Sequence, residues 1–183
     1  SVGFGERGGK EYGTVLMVGD NRPVFDFAVV GIIALRAIPS PADPDTTPEE
    51  LSGQIERERI AFAVAEDQEQ VDKLLHVVKI QGDQSGIRRI IYDDPRGLEQ
   101  QNHPLTIAFK EVVASGQARL NAEPALFNDL INRPSIHDTA ALLHSSGTTG
   151  VPKGIPLKHG HILYGARTAA NAGYFSEGEV HMA

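Results

Sequence analysis

The sequence has no cysteine, no apolar run of membrane-spanning length and too little positive charge for a nucleic-acid surface. Without cysteine among the 183 residues, disulfides, thiolate metal sites and cysteine nucleophiles are excluded. The longest apolar stretch, residues 24–38, is interrupted by Asp26, Gly31 and Arg36. A net charge of −7 argues against a nucleic-acid partner, because phosphate backbones select clustered lysine and arginine. With no signal-peptide pattern either, we expect a cytoplasmic protein.

Strand-like and helix-like segments alternate over the first two-thirds of the sequence. The apolar segment 14–18 is typical of a short strand, and the following Gly19-Asp20-Asn21 predicts a turn. A helix should come next, because Pro23 is suited to a first helical turn, where its missing N–H costs nothing. Helical spacing predicts one buried stripe on this helix, made of Val24, Phe27, Ala28, Gly31, Ile32 and Leu35.

Two more helices and two more strands follow the same pattern. After a proline-rich passage at 39–48, Thr47 is suited to cap a helix in which Glu50 completes a capping box. Asp67 is suited to cap the next helix. The sequence predicts strands at 60–64 and 87–92, and a helix face made of Val71, Leu74, Leu75 and Val78.

This alternation predicts an α/β fold, in which a mainly parallel sheet carries flanking helices, because βαβ crossovers place successive strands in one sheet. We expect residues 1–92 to form the sheet unit. Residues 93–137 are less regular and predict a helical insertion, with helices near 109–118 and 124–131. Residues 138–183 are expected to supply a loop, a strand and a helix.

The most informative segment is LLHSSGTTGVPKGIPLKH, residues 142–159. An apolar strand leads into SSGTTG, residues 145–150, in which every residue is hydroxylic or glycine. Glycines let backbone N–H groups turn toward an anion, and hydroxyls add further donors. Lys153 follows within reach of the same anion. This composition favours a phosphate-binding loop over a flexible linker, because ordered strand-like sequence flanks it on both sides.

The loop differs from the common P-loop. That pattern runs through Gly-Lys-Ser/Thr directly into a helix. Here Pro152 precedes Lys153 and Pro156 follows it closely, and two prolines at this spacing exclude a helix. Residues 154–158 are therefore predicted to form a second strand, so that the loop joins two strands and gains nothing from a helix dipole.

The string SSGTTGVPKG resembles the phosphate-binding signature of the adenylate-forming superfamily, which includes acyl-CoA synthetases, firefly luciferases and peptide-synthetase adenylation domains. Ser145 replaces the more common threonine, and Lys158-His159 stands where Thr-His or Ser-His is frequent. Residues 15–27 and 39–43 are similar to the early part of the family. The passage IYDDPRG, residues 91–97, is most similar to bacterial long-chain fatty acyl-CoA synthetases.

The resemblance implies an acid–thiol ligase that uses ATP, Mg²⁺ and coenzyme A. A carboxylic acid, expected to be a long-chain fatty acid, is converted to an acyl-adenylate, and coenzyme A then displaces AMP. Lys153 would supply a catalytic charge, and the Ser145 hydroxyl would help to hold Mg²⁺. The nucleotide-binding residues that the resemblance implies are Ser145, Ser146, Gly147, Thr148, Thr149, Gly150, Lys153 and Gly154.

Three weaker patterns favour structural roles. GFGERG, residues 3–8, matches the spacing of a dinucleotide fingerprint, but no strand precedes it, which favours a loop. His144, His159 and His161 lack a nearby acidic ligand, so a metal site is disfavoured, and His159 is expected to end the strand before a helix at 162–172. Asp93-Asp94 precedes a proline and favours a strand-ending turn over a catalytic carboxylate pair.

The resemblance covers about the first third of a full-length family member, so we expect this fragment alone to be inactive. Alternatives left open are a fatty acyl-AMP ligase or adenylation domain that loads a carrier protein, and a non-enzymatic nucleotide-binding module. No nucleic-acid partner and no transmembrane segment are expected. Sheet edges that would pair with further sequence are expected to favour a homodimer.

Overall fold

The chain forms two compact units, Ser1–Pro134 and Ser135–Ala183. Their architecture comes from a computed structural model that describes residues 13–98, 103–145 and 152–174. In the described part of the first unit, a parallel sheet is covered by helices. In the described part of the second unit, a two-stranded antiparallel sheet is followed by one helix.

Over residues 13–98 and 103–134, the sheet of the first unit contains five parallel strands. They are β1 (Thr14–Val18), β2 (Ile38–Ala42), β3 (Phe62–Ala65), β4 (Arg89–Tyr92) and β5 (Thr106–Ala108). Their order across the sheet is β2-β1-β3-β4-β5, and every neighbouring pair is parallel. This confirms the predicted α/β fold class.

The described part of this unit also contains five α-helices: α1 (Pro23–Ala34), α2 (Pro48–Glu58), α3 (Gln68–Gln81), α4 (Phe109–Ala122) and α5 (Leu126–Ile131). The predicted caps of α2 and α3 are confirmed. The Glu50 amide donates to the Thr47 hydroxyl at 3.3 Å, and the Thr47 amide donates to the Glu50 carboxylate at 3.0 Å. The Gln70 amide donates to the Asp67 carboxylate at 3.2 Å. Such caps satisfy N–H groups that the first turn cannot pair itself.

The core lies on both faces of the sheet. On one face α2 and α3 contribute Leu51, Ile55, Val71, Leu74 and Val77, which pack with Leu16, Val18, Ala63 and Ile90. On the other face α1 contributes Ala28 and Ile32, which pack with Val15, Met17, Phe62 and Val64. Because both faces are covered, the strands β1 and β3 are apolar at nearly every position, as parallel strands are.

The strand β2 overlaps the start of the passage that the sequence marks only as proline-rich. It is an edge strand, where proline is tolerated if its nitrogen faces outward. The Ile38 amide donates to the Gly13 carbonyl at 3.1 Å, toward β1. Since successive amides alternate in direction, the nitrogens of Pro39 and Pro41 lie on the free side. The two prolines therefore remove no bond from the ladder and leave the outer edge poor in donors.

The segment expected to be an irregular helical insertion contributes a fifth strand. β5 pairs with β4 through the register Ile90 to Thr106, Ile91 to Ile107 and Tyr92 to Ala108. It is three residues long, too short for an alternating pattern to reveal it. The helices predicted near 109–118 and 124–131 are present as α4 and α5.

The predicted stripe on α1 is wrong in part. Val24, Ala28 and Ile32 are buried, as expected, whereas Phe27 and Leu35 are exposed. The helix is apolar on nearly every side, with Asp26 as its one charged residue. Helical spacing therefore could not decide which side faces the sheet.

The second unit contains β6 (Thr139–Ser145), β7 (Lys153–Lys158) and α6 (His159–Asn171). The predicted strand after the loop is confirmed, and β6 and β7 are antiparallel. The strand ends at Lys158 and His159 is the first residue of α6, so the helix begins three residues earlier than expected. The His159 amide donates to the Asp138 carbonyl at 3.1 Å, and the Gly160 amide donates to the Ile136 carbonyl at 2.9 Å. These two hydrogen bonds hold the first turn of α6 to the segment before β6.

Candidate functional site

The β6–β7 hairpin brings the two ends of the predicted phosphate loop together. Ser145, the last residue of β6, is in register with Lys153, the first residue of β7. The next pair along the ladder joins His144 to Gly154. Directly opposite residues of an antiparallel pair carry their side chains on the same face. A hydroxyl and an ammonium group therefore lie side by side where the chain leaves β6 and where it enters β7.

Most of the predicted loop lies outside the described residues. These positions are Ser146, Gly147, Thr148, Thr149 and Gly150. Of the eight predicted nucleotide-binding residues, Ser145, Lys153 and Gly154 are described, and the hairpin brings these three together.

Close packing explains the glycine at position 154. A Cβ placed there would lie 3.1 Å from Cδ1 of Leu142 on β6, tighter than an ordinary side-chain contact. For a larger residue to fit, the Leu142 side chain would have to shift by a few tenths of an ångström. Lys153, in contrast, is exposed.

The side chain of His161 bonds to the backbone at the start of α6. The Lys158 amide donates to Nδ1 of His161 at 3.3 Å, which satisfies a donor at the start of α6. Across residues 13–98, 103–145 and 152–174, no group of three or more His, Cys, Asp or Glu side chains is arranged to hold a metal ion.

A second polar cluster lies at the carboxyl edge of the parallel sheet. Arg22 follows β1, Glu66 follows β3 and Asp93 follows β4. Nη1 of Arg22 lies 2.8 Å from Oε1 of Glu66, and its Nε lies 3.4 Å from Oδ2 of Asp93. The Asp20 amide donates to Oε2 of Glu66 at 2.7 Å. We call Arg22, Glu66 and Asp93 the edge cluster. It joins the segments that leave three strands.

Within the edge cluster, the contact between Arg22 and Glu66 shifts the pKa of both groups. The hydrogen bond from Arg22, aided by that from the Asp20 amide, lowers the pKa of Glu66. The same Glu66 contact raises the pKa of Arg22. The charged forms of both groups are therefore favoured in the folded protein.

The position of Gly19 fits this cluster. Its backbone has φ +147°, in the range that favours glycine. A Cβ built on it would lie 2.5 Å from Cβ of Glu66. The close approach of these two loops is possible because residue 19 has no side chain.

Asp94 forms the strand-ending turn predicted for the Asp93-Asp94 pair. Its Oδ1 accepts from the Arg96 amide at 3.0 Å, and its carboxylate also receives the Arg96 guanidinium. The Arg96 side-chain hydrogen bonds lower the pKa of Asp94 to about 2. The sequence indicated this turn, but it gave no sign of the edge cluster, whose members come from three separate loops.

No helix within the described ranges is both long enough and apolar enough to cross a bilayer.

Comparisons with known proteins agree on one family. A family model described as AMP-binding enzyme matches residues 2–183. The rat (Rattus norvegicus) protein named long-chain-fatty-acid–CoA ligase ACSBG1 is 27% identical over 178 residues, which cover 97% of this chain and 24% of that protein. The rice (Oryza sativa subsp. japonica) protein named 4-coumarate–CoA ligase-like 5 is 31% identical over 143 residues, which cover 77% of this chain and 20% of that protein.

Solved structures show the same fold. The apo structure of Mycobacterium smegmatis MbtA superposes with a TM-score of 0.60 and 21% identity, covering 90% of this chain and 27% of that one. Acetoacetyl-CoA synthetase from Streptomyces lividans superposes with a TM-score of 0.61 and 15% identity, covering 87% of this chain and 24% of that one. The chain thus spans about a quarter of the length of the curated relatives that it matches.

Proposed function

Because the chain belongs to the AMP-binding enzyme family, we propose that the protein to which it contributes activates a carboxylic acid with ATP. A carboxylate oxygen attacks the α-phosphorus of ATP, the bond to the bridging oxygen breaks, and pyrophosphate leaves. The thiol of coenzyme A then attacks the acyl carbonyl, and AMP leaves as the thioester forms. Residues 145–154 would hold the phosphates during the first step.

The observation that carries this proposal is the register of Ser145 with Lys153. A hydroxyl donor and an ammonium group on one face, at the two ends of a loop rich in glycine and threonine, are suited to phosphate oxygens. Catalysis by such a loop is positioning together with stabilisation of charge on the leaving pyrophosphate. Lys153 is the residue that would supply the positive charge.

The described residues also fit a magnesium ion held mostly by phosphate. Mg²⁺ takes few protein ligands when substrate phosphates and water supply the rest, and Ser145 offers one hydroxyl at the start of the loop. At this position Mg²⁺ would neutralise negative charge on the phosphates. We assign Ser145 this role as part of the proposal.

We further propose a fatty acid, expected to be long-chain, as the substrate. The similarity of residues 91–97 to long-chain synthetases and the name of the rat relative support this choice. The name of the rice relative supports an aromatic acid as the competing substrate class. A carrier protein in place of coenzyme A is the alternative acceptor.

Carboxylate-dependent exchange of pyrophosphate into ATP tests the activity. The assay would use the product of the whole open reading frame that contains residues 1–183, with fatty acids of graded length, 4-coumarate, acetate and amino acids. We expect exchange with one acid class, and none with residues 1–183 alone. A folded protein that binds ATP but exchanges pyrophosphate with no acid would be a non-enzymatic nucleotide-binding module, contrary to the proposal.

Lys153→Ala, compared with Lys158→Ala, tests the site. Both lysines are exposed and lie on β7, but Lys158 is at the far end, in register with Thr139. We expect Lys153→Ala to lower the exchange rate by about 10²–10³-fold, as for loss of one charge-stabilising group, and Lys158→Ala to change it only a few fold. Each substitution should alter the free energy of unfolding by less than about 0.5 kcal/mol. Equal rates for the two variants would contradict the role of Lys153.

A further inference from the structure

The carboxyl ends of β1 and β3 lie at the point where the order of the sheet reverses. The connection that leaves β1 leads to β2 on one side, whereas the connection that leaves β3 leads to β4 on the other side. In open α/β sheets, ligands bind outside the carboxyl ends of the strands at such a switch point. We call the space between the segments that follow β1 and β3 the switch-point crevice. By position it is the place on this sheet where a ligand is expected.

A side chain of the protein itself occupies the switch-point crevice. Glu66 follows β3, and its carboxylate accepts two hydrogen bonds from the segment that follows β1. Oε2 accepts from the Asp20 amide at 2.7 Å, and Oε1 accepts from Nη1 of Arg22 at 2.8 Å. The Glu66 side chain is only 13% exposed. A backbone amide and a guanidinium that converge on one carboxylate form a carboxylate-binding site, because both donate charge-assisted hydrogen bonds.

The backbone fixes Glu66 in this position. Its amide donates to the Val18 carbonyl at 3.1 Å, and its carbonyl accepts from the Asp94 amide at 2.8 Å. The crevice is also narrow, because a Cβ built on Gly19 would lie 2.5 Å from Cβ and 3.0 Å from Oε2 of Glu66. A second anion would meet both this lack of space and the negative charge of the carboxylate.

We propose that Glu66 is the resident anion of this carboxylate-binding site, and that the site takes a free carboxylate once the Glu66 side chain is shortened. In the intact protein the resident carboxylate excludes external anions from the switch point, including the phosphates of a nucleotide. The site is formed by the first unit alone, so it is independent of the proposed function.

Arg22 should keep its place when the Glu66 carboxylate is removed. Its Nε also lies 3.4 Å from Oδ2 of Asp93, on the segment that follows β4. Its side chain is 38% exposed, so small solutes can reach the guanidinium from solvent. Glu66→Ala removes Cγ and the carboxylate group, and acetate supplies the same atoms. Acetate is therefore the matched probe for this variant.

Hydrogen exchange of the Asp20 amide tests the proposal in the product of the whole open reading frame. Mass spectrometry with fragmentation resolves this amide, and the amides of β1 and β3 report whether the sheet is intact. Glu66→Ala should raise the exchange rate of the Asp20 amide by about tenfold or more, because the amide loses a hydrogen bond to a charged group. Acetate should recover most of that change in a saturable manner, whereas acetamide and chloride, at equal ionic strength, should not.

Glu66→Gln is the matched control, since its side chain still fills the crevice. Acetate should leave the exchange of the Asp20 amide unchanged in Glu66→Gln, and neither acetate nor inorganic phosphate should slow it in the parent protein. Slowing in either protein would overturn the proposal. So would a Glu66→Ala protein in which acetate acts no more than acetamide does, or an effect of acetate that survives the addition of Arg22→Gln.

A second variant keeps the test decisive if Glu66→Ala does not fold. Glu66→Ser carries a hydroxyl where Cγ was and loses the carboxylate group alone, so formate is its matched probe. Formate should slow the exchange of the Asp20 amide in Glu66→Ser, and formamide should not. Equal effects of formate and formamide would overturn the proposal.

Discussion

The ion pair between Arg22 and Glu66 should contribute measurably to stability, although one partner is partly exposed. Glu66 accepts from Arg22 at 2.8 Å and from the Asp20 amide at 2.7 Å, and its side chain is only 13% exposed. The Arg22 side chain is 38% exposed. Exposed ion pairs contribute up to about 1 kcal/mol, and hydrogen bonds to charged groups about 1.5–3 kcal/mol. We therefore expect a coupling energy of about 1–1.5 kcal/mol.

A double-mutant cycle measures this coupling directly. Arg22→Gln, Glu66→Gln and the double variant would be unfolded with urea and followed by far-UV circular dichroism, and the coupling is the non-additive part of the three changes. Arg119 and Glu123 provide the control, because they lie 3.6 Å apart on a helix and are each 57% exposed. Their coupling should not exceed about 0.5 kcal/mol. A coupling for Arg22 and Glu66 no larger than that of the control pair would refute the reasoning.

Three further predictions concern the first unit. Leu74→Ala removes a fully buried side chain of α3 and should lower the free energy of unfolding by about 2–5 kcal/mol. Ile80 lies on the same helix but is 55% exposed, so Ile80→Ala should change the free energy of unfolding by only about 0.5 kcal/mol. Urea denaturation of the two variants measures this difference. The pKa of Glu66 is lower in the folded state than in the unfolded state. The ionised carboxylate therefore stabilises the fold fully above the unfolded-state pKa of about 4.3, and this stabilisation is lost as pH falls through the folded-state pKa. Urea midpoints measured from about pH 6 downward should therefore fall less steeply in Glu66→Gln than in the parent; parallel curves would contradict this assignment. Gly19→Ala should destabilise the protein by about 1–3 kcal/mol, because φ is +147° and the new methyl group would meet Glu66. Gly116→Ala, at an open position on α4, should stabilise the protein by up to about 1 kcal/mol. A lower melting temperature for Gly116→Ala than for Gly19→Ala would exclude the proposed clash.

Features that depend on neighbours in sequence were predictable from the sequence. The capping box of Thr47 and Glu50 is a local pattern, and the structure contains it where the sequence places it. The prolines around Lys153 exclude a helix through local geometry, and β7 is a strand. In both cases the deciding interactions span only a few residues.

Features that depend on the position of an element in the sheet were not predictable. The proline-rich passage becomes β2 because it lies at an edge, where outward-facing nitrogens need no partner. The buried side of α1 depends on tertiary packing, since its apolar residues leave helical spacing without a preferred direction. The edge cluster joins Arg22 to Glu66 across 44 positions of sequence, and no local pattern encodes such a distance.

For the candidate site, the sequence predicts the residues, and the structure adds that two of them, Ser145 and Lys153, are paired. Motif composition pointed to Ser145 and Lys153 because hydroxyl and ammonium groups suit phosphate. It could not reveal that the two residues are opposite each other on neighbouring strands, since register is set by the whole hairpin. That pairing makes the substitution of Lys153 a specific test of the site.

The strand order has a consequence for how the protein folds as it leaves the ribosome. β2 is added to one side of β1, β3 to the other, and then β4 and β5 each join the strand made before them. No strand of this five-stranded sheet has to insert between two that are already paired, so the sheet can assemble in the order of synthesis. Pro39 and Pro41 disfavour strand addition beyond β2, so later strands join the sheet on the β3 side. A nascent chain should therefore gain protease resistance in steps as β3, β4 and β5 emerge.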